Sequence, residues 1–301
     1  MKIFKLRPDA KWAVISVPYL WMILFFVIPF VIVFYISFSK SIIGMPPYAS
    51  LWQNVEGSMH LVLNYRNYTN IFNPEDMLYM TAYGNSLRLA AVSTILCLLV
   101  GYPMAYAIAR APGAMRHVLL MLVILPSWTS FLIRIYSWIG LLKNNGYINN
   151  SLMGLGVINE PIQMMQTDFA VYVGIVYAYL PFMILPLYTN LIKHDGTLLE
   201  AAYDLGAKPW TAFFRITLPL SKNGIIAGAM LVFIPAVGEF VIPALLGGPN
   251  QLMIGKVLYD QFFNARDWPA ASAVAITMLI MLVGPIMVFQ RVQAKELEEA
   301  K

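Results

Sequence analysis

The chain has 301 residues, of which 59% are hydrophobic and 12% charged, with a mean hydropathy of +0.68. Soluble domains carry roughly 25% charged residues, so this composition excludes an ordinary water-soluble protein and points to a chain solvated by lipid. The net charge of +5 does not signal nucleic acid, because the Lys and Arg residues flank apolar runs and form no basic stripe.

A bilayer core about 30 Å thick needs about 20 apolar residues per helical crossing, since backbone polar groups must be satisfied within the segment. Six runs meet that requirement, at about 12–38, 82–109, 117–142, 169–192, 224–246 and 269–290. The first follows Lys2, Lys5, Arg7 and Lys11 as a secretory signal would. Its apolar run is far longer than a signal core of about 7–15 residues, and no small-residue cleavage site ends it. It therefore reads as a retained helix, kinked near Pro18 and Pro29. The chain is expected to be all-α and polytopic, with about six transmembrane helices.

Basic residues stay on the cytoplasmic side. One alternating set of connecting segments holds thirteen Lys and Arg, the other holds only Lys40, Arg66, Lys143, Lys256 and Arg266, and Arg88 and Arg134 fall inside spans. Both termini are therefore expected in the cytoplasm of a bacterium, with the chain in its inner membrane. Segments 40–81, 143–168 and 247–268 then lie outside, where turn formers and interfacial aromatics suit short helices along the membrane. The domain reading is 1–81 for the N-terminus, first span and first external segment, 82–292 for a five-helix core with a cytoplasmic loop at 193–223, and 293–301 for a tail.

Cys97, the only cysteine, lies in an apolar run, and His60, His117 and His194 are far apart in sequence. No metal site is expected from that spacing.

The loop 193–223 carries the strongest local pattern. Thr197 followed by Glu200 has the form of a capping box, Leu198, Leu199, Ala202 and Leu205 can share one apolar stripe, Gly206 can turn the chain, and Pro209 suits the start of a second short helix. Glu200-Ala201-Ala202, then Gly206, then Ile216, Leu218 and Pro219 match the "EAA, three residues, G, nine residues, I-x-L-P" motif. On these residues the chain resembles the permeases of binding-protein-dependent ABC importers, of the type I permease fold. The resemblance implies that Glu200, Ala201, Ala202, Gly206, Ile216, Leu218 and Pro219 dock on a separate ATP-hydrolysing subunit. The chain has no phosphate loop of its own, since Gly255-Lys256 is preceded by Asn250 at the required glycine position and followed by Val257. No cofactor is expected on it; ATP and Mg belong to the partner ATPase.

Polar groups inside spans are costly and serve function by default. Glu239 is the only carboxylate well inside a span, with Arg134 at similar depth. Either Glu239 attracts a cationic substrate or the two neutralise each other as a buried pair, and the residues leave both readings open. Ser127, Phe131, Arg134 and Trp138 share a helical face, as do Tyr172, Val176, Tyr179 and Met183. Aromatic rings near a carboxylate suit an alkylammonium ion, so Glu239, Arg134, Trp138, Tyr172 and Tyr179 are candidate path residues. Pro235, Gly238 and Pro243 mark a place where the fifth span can break.

The stretches "LPSWTSFLIRIYSWIGLLKNNGYINN", "GIVYAYLPFMILPLYTNLI", "MLVFIPAVGEFVIPALLGG" and "RDWPAASAVA" are similar to permeases of spermidine and putrescine importers, and most similar to the first of the two permease subunits of a putrescine importer. Ala244 departs from that pattern, where relatives often carry an acidic residue. The resemblance implies import of putrescine, with spermidine as a second candidate. It also implies a homologous second permease, two ATPase copies and a periplasmic polyamine-binding protein. Competing readings are an importer of sulfate, ferric ion or an opine, an ion-coupled secondary transporter, and a membrane-embedded enzyme; no catalytic constellation supports the last.

Overall fold

The computed structural model describes residues 8–55, 58–74, 77–249 and 251–299. The chain divides into two compact units, Met80–Val257 and a second made of Met1–Tyr79 with Leu258–Lys301. The basic residues Lys2, Lys5 and Arg7 lie outside the described residues.

In the larger unit, α4 (Leu78–Arg110) leads into α5 (Gly113–Ile124), a 3-10 turn (Leu125–Trp128), α6 (Phe131–Leu142) and α7 (Tyr147–Gly154). Then come α8 (Asp168–Leu191), the short helices α9 (Thr197–Asp204), α10 (Pro209–Ala212) and α11 (Leu218–Leu220), α12 (Lys222–Val237), α13 (Val241–Leu246) and α14 (Ile254–Tyr259). Helix α8 is central, with half of its apolar stretch inside the protein against a third for α4.

Lipid tails are as apolar as leucine, so helices in a membrane associate through close packing and hydrogen bonds rather than through loss of water contact. The α8–α12 pair shows the consequence. Gly224 and Gly228 form a small-x-x-x-small stripe, and a methyl group at Gly228 would sit 2.8 Å from Met183 Sδ and 3.0 Å from its carbonyl oxygen. Buried polar groups pin the connections: Ser86 Oγ accepts from Ile254 N, Asn85 donates to Leu252 O, and the buried Asn149 side chain both donates to and accepts from the Ile162 backbone.

In the other unit, α1 (Pro8–Met22) continues through a π turn (Ile23–Val27) into α2 (Ile28–Ser37). Pro29 has no N–H to offer the preceding turn, and the π turn just before it absorbs the mismatch. Almost every large apolar side chain from Trp12 to Phe34 is exposed, as lipid contact requires. Strands β1 (Trp52–Val55) and β2 (Ser58–Leu61) pair antiparallel, followed by α3 (Arg66–Ile71). This hairpin is not among the short helices expected outside the membrane. Asn67 donates to Ser37 O and Ser39 O, satisfying carbonyls left open at the end of α2. The long α15 (Trp268–Glu299) begins with Trp268 stacked on Phe262 at 5.1 Å.

Three helical stretches, Val14–Ser37, Leu78–Arg110 and Asp168–Leu191, are long and apolar enough to cross a bilayer among the described residues, or up to five if each bent pair is one span; Trp268–Gly284 is a shorter apolar helix. The second bent pair joins the loop helices to α12, Pro209–Leu220 with Lys222–Val237 at 64°, and two of the six expected spans are interrupted within their own runs. The run 117–142 bends by 91° between Trp128 and Phe131, because Pro126 and the extended Thr129 interrupt the helix although hydropathy stays high. The run 224–246 ends as a helix at Val237 and restarts at Val241.

Candidate functional site

The segment 193–220 forms a knob with a small core of its own. Leu199, Ala202 and Ala212 are buried together, with Ala207 and Ile216 against them. Helix α9 ends in a Schellman turn: Gly206 N donates to Tyr203 O and Ala207 N to Ala202 O, both at 2.9 Å, while Gly206 has φ +80°. That left-handed backbone is why the motif has glycine there. Pro209 opens α10, and Pro219 again follows a π turn, Phe213–Thr217, which accommodates its missing N–H.

Each motif residue now has a physical position. Ala202 and Ile216 fill the inside of the knob, Leu218 is half-buried, and Glu200, Ala201 and Pro219 face outward. Two expectations are corrected. Thr197 is not a capping residue: Gly196 occupies that position, and Asp195 Oδ1 accepts from Thr197 N at 3.0 Å. The backbone donor at Thr197 holds the Asp195 carboxyl below its usual range. The apolar stripe also divides, because only Leu199 and Ala202 turn inward, whereas Leu198 is exposed and Leu205 is 89% exposed. Trp210, 74% exposed, joins Leu205 on the outer surface.

Beside α9 lies a hollow of about 550 Å³ lined by Arg110, Arg116, His194, Asp195, Glu200 and Tyr203, among others. Arg116 donates to Ala109 O and Ala111 O, and Arg110 lies over the Tyr106 ring at 4.6 Å. Both cations thus complement the negative end of α4.

Glu239 occupies the break between α12 and α13 and is only 7% exposed. Its Oε1 accepts from the N–H groups of Phe240 (3.1 Å), Val241 (2.9 Å) and Ile242 (3.4 Å), and its Oε2 accepts from the Tyr179 hydroxyl at 2.5 Å. A carboxylate deep in a membrane helix costs about 2.5–3.5 kcal/mol, while each hydrogen bond to a charged group returns about 1.5–3 kcal/mol. Four donors thus occupy the two carboxyl oxygens. Gly255 packs so closely on the break that a side chain there would strike the Gly238 and Glu239 carbonyls.

The candidate path residues divide among three places. Tyr179 and Glu239 are bonded. Tyr172 lines a separate hollow of about 120 Å³ with Asn85, Arg88, Asp168 and Gln251. Arg134 lines an apolar cavity of about 150 Å³ with Met104, Pro126 and Tyr177. Its Nε has no hydrogen-bond partner and its guanidinium lies 5.8 Å from the Phe131 ring, while the donors found on Glu239 are the Tyr179 hydroxyl and three backbone N–H groups. Trp138 stands edge-on to Tyr177 at 5.4 Å. Ser127 falls in the 3-10 turn before the bend, so it does not share the α6 face of Arg134 and Trp138. Among the described residues no group of three or more His, Cys, Asp or Glu is placed to hold a metal ion.

Residues 97–295 match the family of binding-protein-dependent transport system inner membrane components. The chain belongs to that family. This inner membrane component is a multi-pass transport subunit and not an enzyme. It is 40% identical over 277 residues to the spermidine/putrescine transport system permease protein PotB of Haemophilus influenzae, covering 92% of each chain. It is 41% identical over 271 residues to PotB of Escherichia coli, covering 90% of this chain and 93% of that one. A bacterial alginate ABC transporter, solved with a periplasmic protein bound to an alginate pentasaccharide, superposes with a TM-score of 0.67 at 16% identity, over 93% of this chain and 94% of that one; at that identity only the fold is shared.

Sequence reading missed how this inner membrane component anchors its knob. Phe213 stands edge-on to Tyr102 at 5.6 Å and to Tyr106 at 6.1 Å. Tyr102 and Ser221 hydroxyls meet at 2.8 Å, and because Ser221 Oγ already donates to Leu218 O, Tyr102 is the donor. These partners are separated by 119 positions, and no local pattern announces them.

Proposed function

We propose that this chain is one of two permease subunits of an ATP-driven importer that carries polyamines, putrescine first and spermidine second, from periplasm to cytoplasm. The observation that carries the substrate class is the near full-length identity of 40% and 41% to two permeases named for spermidine and putrescine. The buried Glu239 carboxylate, bonded to the Tyr179 hydroxyl, agrees with a cationic cargo, since carboxylate and aromatic faces both attract alkylammonium groups.

In this reading Glu200, Ala201, Gly206 and Pro219, with the exposed Leu205 and Trp210, meet a groove of an ATPase subunit, while Ala202, Ile216 and Leu218 keep the knob in shape. ATP and Mg bind on the ATPase dimer. A homologous second permease completes the pathway, and a periplasmic polyamine-binding protein delivers the cargo to the outer segments. Nucleotide binding closes the ATPases and shifts the permease between two access states, and hydrolysis resets it. Arg134 and Trp138 line the flank of the pathway and Tyr172 its outer end.

The test is uptake of labelled putrescine, spermidine, sulfate and ferric ion by cells lacking their own polyamine uptake and expressing this chain with its neighbouring ATPase, permease and binding-protein genes. Polyamine uptake that disappears when this chain is omitted is the expected result. Uptake of sulfate or iron with none of polyamine overturns the substrate assignment.

A further inference from the structure

The four hydrogen bonds to Glu239 are not equivalent. Three come from backbone N–H groups at the start of α13, fix Oε1, and cannot leave unless that helix unwinds. The fourth comes from a single side chain on another helix: the Tyr179 hydroxyl, on the half-buried face of α8, meets Oε2. A side chain can swing away where a helix end cannot.

A primary alkylammonium asks of a carboxylate what a phenol asks, a lone pair to receive a donated hydrogen. It adds a full positive charge, so Coulomb attraction to the carboxylate comes on top of the hydrogen bond. We propose that Tyr179 is a placeholder for substrate: its hydroxyl occupies Glu239 Oε2 in the empty permease and yields that position to one ammonium group of the polyamine. This inference rests on the polyamine reading above and deepens it by naming a residue that sets affinity.

The arrangement solves two problems together. An empty pathway never leaves Oε2 bare in a water-poor site, where an unsatisfied charged oxygen is costly. A loaded pathway does not hold its cargo too tightly, because the phenol competes to return, and a conducting site needs binding weak enough to release. The displaced ring stays near and offers an aromatic face to the cation.

The experiment is equilibrium binding of radiolabelled putrescine to the assembled permease–ATPase complex in lipid nanodiscs, without the binding protein, with uptake by the complete importer measured in parallel. Tyr179→Phe is expected to bind about three- to tenfold more tightly, the scale of one competing hydrogen bond. Glu239→Gln retains an oxygen for the three N–H groups but no charge, and is expected to bind at least about tenfold more weakly. A purely structural contact predicts the same direction in both variants, since each removes the same bond. Parallel weakening, or unchanged binding in Tyr179→Phe, overturns the placeholder role. Should Glu239→Gln fail to assemble, competition by 1-butylammonium decides between them: Tyr179→Phe must strengthen it by the same factor as putrescine, and an unstrengthened competitor overturns the inference. A complete importer that takes up no polyamine sinks the substrate reading itself, whereas normal uptake with the wrong shift in Tyr179→Phe sinks only the placeholder.

Discussion

Gly206 shows how one backbone angle supports a functional surface. A methyl group there would meet nothing within 4 Å, yet its φ of +80° lies where L side chains are disfavoured, so any cost of substitution comes from the backbone and not from crowding. That cost is about 1–2 kcal/mol for an ordinary residue and less for Asn, which tolerates the left-handed region. The Schellman bonds to Tyr203 and Ala202 depend on the same turn. Gly206→Val is therefore expected to abolish uptake while the protein still inserts in the membrane, and Gly206→Asn to keep a substantial part of it. Uptake assays alongside membrane immunoblots check the pair, and equal activity in both variants counts against a role for the turn. The glycine and its spacing were legible in the sequence because every contact that needs them lies within six residues. Glu239 was legible only as a charge in an apolar run. Its donors were not, since Tyr179 is 60 positions away and the three N–H groups become available only where the helix breaks.

At the scale of elements, hydropathy located the apolar runs but not where they fold. The residues Leu125 to Ser130 contain enough apolar mass to extend a span, and only Pro126 and the extended Thr129 mark the 91° bend. The break at Gly238–Phe240 was better signalled, by Pro235, Gly238 and Pro243 together. What joins the knob to the bundle was invisible, because a ring contact and a hydroxyl pair between α4 and the 213–221 segment leave no periodicity. If the knob passes force to α4, the Tyr102–Ser221 bond and the Phe213 ring carry part of it. Hydrogen bonds between membrane helices average about 0.6 kcal/mol and reach about 1.7 kcal/mol, enough to alter coupling without unfolding the chain. Tyr102→Phe and Ser221→Ala are each expected to lower uptake per ATP hydrolysed by severalfold in proteoliposomes, with the double variant no worse than either single one. Additive losses would show that the two side chains act through separate contacts.

For the whole molecule, the distribution of Lys and Arg argues which side each segment occupies, and the ATPase reading depends on it, since the knob must face the compartment that holds ATP. The chain lends itself to a direct test because its one cysteine, Cys97, is buried and contributes little background to thiol labelling. Leu205 at 89% and Leu155 at 77% exposed are accessible reporter positions on the 193–223 and 143–168 segments. In a Cys97→Ala background, Leu155→Cys is expected to react with a membrane-impermeant maleimide in cells whose outer membrane alone is permeable, and Leu205→Cys only after the inner membrane is opened. Thirteen basic residues against five favour this orientation, because Lys and Arg in short loops are retained on the cytoplasmic side. The reverse labelling pattern would place Gly206 and the motif around it away from nucleotide, and no ATPase in the cytoplasm could then drive the permease through that surface.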